Sequence, residues 1–348
     1  MRVLITGNLG YIGPVLTRHL RAQHPQAELI GLDTGLFAPH YSTSGPLPER
    51  FLNRQIYADV REMTAADLEG VTAVVHLAAV SNDPMGKRYE AVTDSINHQS
   101  SVRLAELARD AGVKNYVFAS SCSVYGFAEG GARVESDALN PLTAYARSKI
   151  ATEQDLEQME RNGMVVTCLR FATACGMSDR IRLDLVLNDF VACALTSGTI
   201  TVLSDGTPWR PLITVPDMSR AIDWAITRDA GNGGDFLAVN AGSDEWNYQV
   251  RDLANAVAAE IPGTKVSINT NAQPDNRSYR VSFAKYKALA PNHQPQETLK
   301  TAIHGLARGL RAIGFSDADF RTGPFIRLKV LEKLQDTGMI DGNLTWQA

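Results

Sequence analysis

No stretch of this chain approaches the roughly 18 consecutive apolar residues that a membrane-spanning helix requires, so a helical membrane protein is not expected. Cysteine is scarce. Cys122, Cys168, Cys175 and Cys193 are the four, none in C-x-x-C spacing, which argues against a zinc knuckle or disulfide framework and for reduced thiols in a cytoplasmic protein. Charge of one sign is lacking too: 34 Lys and Arg against 38 Asp and Glu leave a net charge of -4, no electrostatic footprint for nucleic acid. Internal repeats and low-complexity tracts are absent, no metal site is expected, and the first residues, "MRVLITG", enter a strand pattern without a basic-then-apolar leader.

What is present is an alternation. The runs "RVLITG", "ELIGLD", "RQIYAD", "AVVHLAA", "NYVFASS" and "MVVTCLRF" are short and apolar on both faces, as buried parallel strands are. Between them lie helical patterns at 14–23, 95–111 and 143–162, and a Pro-, Ser- and Gly-rich loop at 35–50. The order β-α-β-α predicts an α/β protein with a doubly wound parallel sheet. After Cys175 the pattern changes: helices at 183–195, 216–227 and 249–260 and a strand at 199–203 predict a smaller C-terminal substrate-binding lobe. The expected division is 1–175 for the sheet domain, with the chain returning to it around 211–242, and 176–348 for most of the lobe.

"TGNLGYIG" follows the first strand and opens a helix. There Gly7 would let the turn close, Gly10 would let backbone approach a pyrophosphate, and Gly13 would let helix pack on strand. Tyr11 and Ile12 sit at the helix N-terminus, whose N–H groups suit phosphates. Asp33 ends the second strand, where a carboxylate accepts hydrogen bonds from a ribose 2′-hydroxyl and repels a 2′-phosphate. NAD is therefore favoured over NADP in a Rossmann-like fold. Asp59 and Val60 end the third strand within reach of an adenine. In "HLAAVS", Leu77, Ala78 and Ala79 would let backbone lie against the dinucleotide, with Ser81 beyond them, and His76 reads as a buried, satisfied histidine rather than a catalyst.

Tyr145 and Lys149 in "PLTAYARSK" are four apart, on one face of a helix. A phenol titrates near pH 10 and is a poor base at neutral pH unless a cation and a hydrogen-bond donor stabilise its anion; Lys149 offers the cation. Taken in order, T-G-x-x-G-x-x-G, "HLAA", "SSCSVYG" and Y-x-x-x-K resemble the extended short-chain dehydrogenase/reductases, in particular the nucleotide-sugar epimerases and dehydratases. The resemblance implies that Tyr145 and Lys149 are catalytic and that Ser121 hydrogen-bonds the substrate oxygen, with Ser120 and Ser123 as close competitors. It implies NAD, bound in part by Ser120 and Phe171, a nucleoside-diphosphate sugar as substrate, and a homodimer built through the helix that carries Tyr145.

The same resemblance places Cys122 and Ser123 where 4,6-dehydratases carry acidic residues, which disfavours that reaction by the usual route. Thr173 stands where relatives have a diphosphate-binding asparagine, Asn188 where one contacts the nucleotide, and Val202 where a base can pack. Arg210 matches the arginine that clamps the diphosphate, and Arg277, with Arg280 as its alternative, matches a second one. Arg180 and Arg182 in "SDRIRLD" have no counterpart; they either contact an unusual sugar or pair at the surface with Asp179 and Asp184. The function this implies is an NAD-dependent epimerase of a nucleoside-diphosphate sugar, working through a transient keto-sugar oxidised at C4. The rivals are a reductase or dehydrogenase of a keto-sugar nucleotide, and a non-catalytic dinucleotide sensor.

Overall fold

The computed structural model describes every residue except 44, 129, 270, 273–277 and 348. Its strands are β1 (Arg2–Thr6), β2 (Glu28–Asp33), β3 (Arg54–Tyr57), β4 (Ala73–His76), β5 (Asn115–Ser121), β6 (Val165–Phe171), β7 (Thr173–Cys175), β8 (Thr199–Val202), β9 (Trp209–Thr214), β10 (Phe236–Ala241), β11 (Asn247–Gln249) and β12 (Lys265–Ile268). The helices are α1 (Gly13–Gln23), α2 (Asp83–Arg88), α3 (Glu90–Asp94), α4 (Ser100–Asp110), α5 (Ala144–Gln158), α6 (Val186–Leu195), α7 (Val215–Thr227), α8 (Val250–Glu260), α9 (Ala284–Leu289), α10 (Leu299–Ala312) and α11 (Arg327–Asp336).

All six predicted strands form and join one parallel sheet in the order β10-β6-β5-β4-β1-β2-β3. The strands are apolar on both faces because helices cover both; every residue of β6 is buried. Successive strands run outward from β1 in one direction and from β4 in the other, so the crevice between them opens at the strands' C-terminal ends, where Thr6 pairs with His76. That topological switch is where open α/β sheets bind ligands. Asp33, Ser121 and Phe171 end their strands on the same rim.

Two predicted helices depart from the pattern at their starts. The stretch 95–111 continues helical backbone that begins earlier, in α3 at Glu90, and passes through a wide π turn at Ser95–Gln99 into α4; within that turn the Asn97 amide is buried and bonded to both Val80 N (2.8 Å) and Val80 O (3.0 Å). The stretch 183–195 becomes helical only at Val186, after Leu185 in extended backbone (φ -105°, ψ 134°), with Leu183 N bonded to Phe325 O (3.0 Å) and Asp184 held by Arg182. By contrast α5 starts as its sequence dictates: Thr143 Oγ1 accepts from Ala146 N (3.1 Å), an N-cap that puts Tyr145 and Lys149 in the first two turns.

From Thr173 onward, β7, β9 and β11 form a small sheet, β8 pairs with β12, and α6, α8 and α10 pack into a second core around Leu187, Val191, Leu253, Ile303 and Leu306. Each of these side chains is fully buried, a contribution of about 1.5–3 kcal/mol apiece. The chain crosses back between them: α7 packs on α1, and β10 extends the main sheet beside β6. The four cysteines are free and buried.

Candidate active site

A cavity of about 830 Å³ opens along the rim of the main sheet and reaches across to the second core. Its floor at one end is the turn between β1 and α1. Gly7 has φ +72°, and a Cβ there would lie 2.6 Å from Ala78 N; at Gly13 it would lie 2.0 Å from Asn8 O. Gly10 would meet only its own turn, Gly7 O at 3.1 Å, and its other side faces the cavity. Gly13 is thus a packing residue behind the wall, while Gly7, Gly10, Tyr11 and Ile12 are on it.

Asp33 is on the wall as expected. It accepts from Leu9 N (3.0 Å) and Gly35 N (2.8 Å), and burial raises its pKa while those two N–H groups oppose the rise. One bond to each oxygen leaves lone pairs for ribose hydroxyls. The bare glycine turn, the helix N-terminus and this carboxylate form a donor and acceptor set that suits NAD. Asp59 and Val60 are on the wall too, but Asp59 is gripped by the Arg61 guanidinium at 3.0 and 2.6 Å. Leu77, Ala78 and Ala79 line the cavity, and His76 sits below it between Thr6 Oγ1 (2.6 Å) and Ser101 Oγ (2.7 Å), its pKa pushed down to about 3 by burial.

Tyr145 and Lys149 meet the end of β5 at the centre of the cavity. The Ser121 hydroxyl is close enough to the Tyr145 phenol to pull its pKa down, and Ser121 Oγ accepts from Ser123 N (3.1 Å). Ser120 points its hydroxyl at Glu153 instead, and the buried Ser123 hydroxyl has no partner among the described residues, so Ser121 is the serine that reaches the phenol. The Lys149 Nζ lies 5.6 Å from the Tyr145 ring centre and 4.4 Å from that of Phe118. Burial pushes the ammonium pKa down to about 7, against the pull of Glu153 one turn further along α5.

Burial likewise pushes the Tyr145 phenol up to about 12; Ser121, and the charge of Arg182, pull it back. Underneath, Arg170 forks onto Glu153, both nearly buried, and donates to the Tyr125 hydroxyl (3.1 Å).

At the other end, Phe171, Thr173, Val202 and Arg210 are on the wall, and Arg210 donates to Trp209 O (2.9 Å). Arg277 lies outside the described residues. Two expected substrate contacts are corrected. Cys122 is fully buried behind the wall, its thiol on Arg170 O (3.1 Å) and its pKa raised by burial. Asn188 is fully buried as well: it accepts from Gly176 N (2.9 Å) and donates to Tyr11 OH (3.0 Å) and Arg182 O (2.8 Å), which spends its amide on the protein.

The surface pairing considered for "SDRIRLD" is also corrected. Arg182 does grip Asp184 at 2.9 and 2.8 Å, but both are buried on the cavity wall, with Ser81 Oγ (3.1 Å) and Asn82 Nδ2 (2.6 Å) as further partners. Arg180 pairs with Glu49 and Asp179 with Arg18. Sequence reasoning passed over Asp83, Tyr279 and Arg327, all on the wall. Only Asp83 had a signal, an Asn-Asp-Pro helix start directly after "HLAAVS". Among the described residues no group of three or more His, Cys, Asp or Glu is placed to hold a metal ion, and no helix is long and apolar enough to cross a membrane.

Residues 3–242 match the profile of the NAD dependent epimerase/dehydratase family. A UDP-glucose 4-epimerase of Mycolicibacterium smegmatis is 30% identical over 272 residues, 75% of this chain and 83% of that protein. Among solved structures, MoeE5 in complex with UDP-glucose and NAD is 25% identical with a TM-score of 0.75, over 89% of this chain and 99% of that one. An NAD-dependent NDP-hexosamine 5,6-dehydratase, TunA, is 25% identical with a TM-score of 0.76, over 91% and 99%. With its parallel sheet, glycine turn and Ser-Tyr-Lys cavity, the chain belongs to the NAD-dependent epimerase/dehydratase family of extended short-chain dehydrogenase/reductases, with NAD as cofactor.

Proposed function

We propose that this protein is an epimerase of a nucleoside-diphosphate sugar, inverting C4 through a transient keto-sugar. The observation that carries the reading is the convergence of Ser121, Tyr145 and Lys149 on one cavity whose wall also includes the glycine turn. NAD supplies the hydride acceptor at this site. Tyr145 takes the proton of the C4 hydroxyl, Ser121 holds the same oxygen as it becomes a carbonyl, and Lys149 positions the ribose and offsets the charge left on the phenol. Arg210 and Thr173 hold the sugar nucleotide's diphosphate, and Val202 supports the base. Residues 1–175 with the returning segment serve the cofactor and most of 176–348 the nucleotide sugar.

The test is direct. With UDP-glucose, and then other nucleoside-diphosphate sugars, proton NMR follows appearance of the C4 epimer while absorbance at 340 nm is recorded. Epimer with no net absorbance change supports the reading; sustained NADH formation or consumption selects the keto-sugar reductase, and cofactor binding without turnover across the panel selects the sensor.

One observation favours a second reading. Asp83 is on the cavity wall within electrostatic reach of Tyr145, accepting from Thr143 Oγ1 (2.8 Å), and so a carboxylate stands beside the phenol even though Cys122 and Ser123 are not acids. A product 18 mass units lighter than the substrate would select it. A homodimer through α5 in the cytoplasm completes the proposal, and sedimentation giving only monomer at micromolar concentration would overturn the dimer.

A further inference from the structure

The chain that follows α10 turns back to the cofactor end of the cavity. Residues from α11 to Leu344 pack with α2 and α3 in a cluster containing Met85, Tyr89, Val92, Leu331 and Ile340, and Trp346 Nε1 donates to Thr34 O (2.7 Å) just after β2. Ile326, Arg327, Leu331 and Leu344 thereby line the cavity alongside Asp33 and Phe37. The family profile ends at residue 242, so this part of the wall lies outside it.

Arg327 is the unusual member. It is 2% exposed, its Nη2 donates to Arg180 O (2.9 Å), and its guanidinium lies 4.3 Å over the Phe37 ring. Its Nη1 is buried with no hydrogen-bond partner among the described residues. The neighbouring arginines each have a carboxylate, Asp184 for Arg182 and Glu49 for Arg180, whereas Arg327 has none among the described residues within ion-pair distance. Burial, with Arg182 nearby, pushes its pKa down to about 9, which is the direction expected of a desolvated cation short of an anion.

Its position identifies the anion. Arg327 is within electrostatic reach of Asp33 on the ribose side and of Arg182 and Asp184 on the Tyr145 side. Between an adenosine ribose and the reacting end of a dinucleotide lies its diphosphate. We propose that Arg327 binds the diphosphate of NAD, and that the C-terminal segment 326–344 is a wall of the cofactor site that retains it. The inference rests on NAD as cofactor and is independent of which sugar reaction follows.

The test compares Arg327→Met and Arg327→Lys with the parent protein. Cofactor-stripped melting temperature, and binding of NAD, ADP and adenosine by calorimetry, are the readouts. Arg327→Met is expected to melt without cofactor at the same temperature or higher, since an unpaired buried cation is gone. It should bind NAD and ADP on the order of 10- to 100-fold more weakly, the worth of a charge-assisted hydrogen bond, and adenosine unchanged. Arg327→Lys is expected to recover part of the NAD affinity. Unchanged NAD affinity in Arg327→Met overturns the proposal, and so does an equal loss for NAD and adenosine together with a lower melting temperature, which would mark a merely structural arginine.

Discussion

At the scale of single residues, the burial that closes the site works against its own acid–base groups. Tyr145 is raised to about 12 and Lys149 lowered to about 7, so each is pushed toward its neutral form. Tyr145→Phe removes the base and keeps the shape: turnover is expected to fall by about 10²- to 10⁴-fold, with NAD content after denaturation unchanged. For Lys149 the sign follows from linkage. Its folded pKa of about 7 lies below its ordinary 10.5, so between those values the unfolded chain holds the extra proton and stability rises with pH. Urea midpoints of the cofactor-stripped protein should therefore climb across that window in the parent and climb less in Lys149→Met; identical slopes would place the ammonium in solvent. Tyr145 and Lys149 were legible in the sequence because a helical spacing fixes their common face. Cys122 and Asn188 were not: a strand end or a short helix read as letters does not say which side chain turns inward, and both spend their polar atoms behind the wall.

At the scale of elements, the glycine turn separates strain from contact. Gly7 and Gly112 share a left-handed backbone, φ +72° and +77°, but a Cβ on Gly7 would meet the Ala78 backbone at 2.6 Å, while one on Gly112 would meet nothing within 4 Å. Gly112→Ala is expected to cost only the backbone term, about 1–2 kcal/mol. Gly7→Ala must also displace the backbone just after β4, so it should cost more and lose NAD binding; equal melting temperatures for the two variants would refute this account. The strands were legible to within about three residues, β4 ending at His76 rather than at Ala79, because burial on both faces writes continuous apolar runs. The starts of the helices at 95–111 and 183–195 were misread by a few residues: the first already runs as helix from Glu90, with Asn97 held by Val80 in its π turn, and the second waits for Leu185 to leave extended backbone.

At the scale of the whole molecule, the cavity is built from segments more than 300 residues apart, Gly7 at one end of the chain and Leu344 at the other, which local patterns do not reveal. What ties the glycine turn to the second core is the residue misassigned from sequence. Tyr11 donates to Gly176 O (2.5 Å), and Asn188 on α6 bonds Tyr11 OH, Gly176 N and Arg182 O together. Asn188 therefore positions Tyr11 and Arg182, both on the wall, without lining the cavity itself. Asn188→Ala should leave those buried partners unsatisfied and lower stability by about 1–3 kcal/mol, read as a shifted urea midpoint. It should also weaken NAD binding, because Tyr11 loses the bond that sets it beside the diphosphate turn. If stability falls while NAD affinity holds, the two cores are joined by packing alone, and the cofactor site is set entirely by the main sheet.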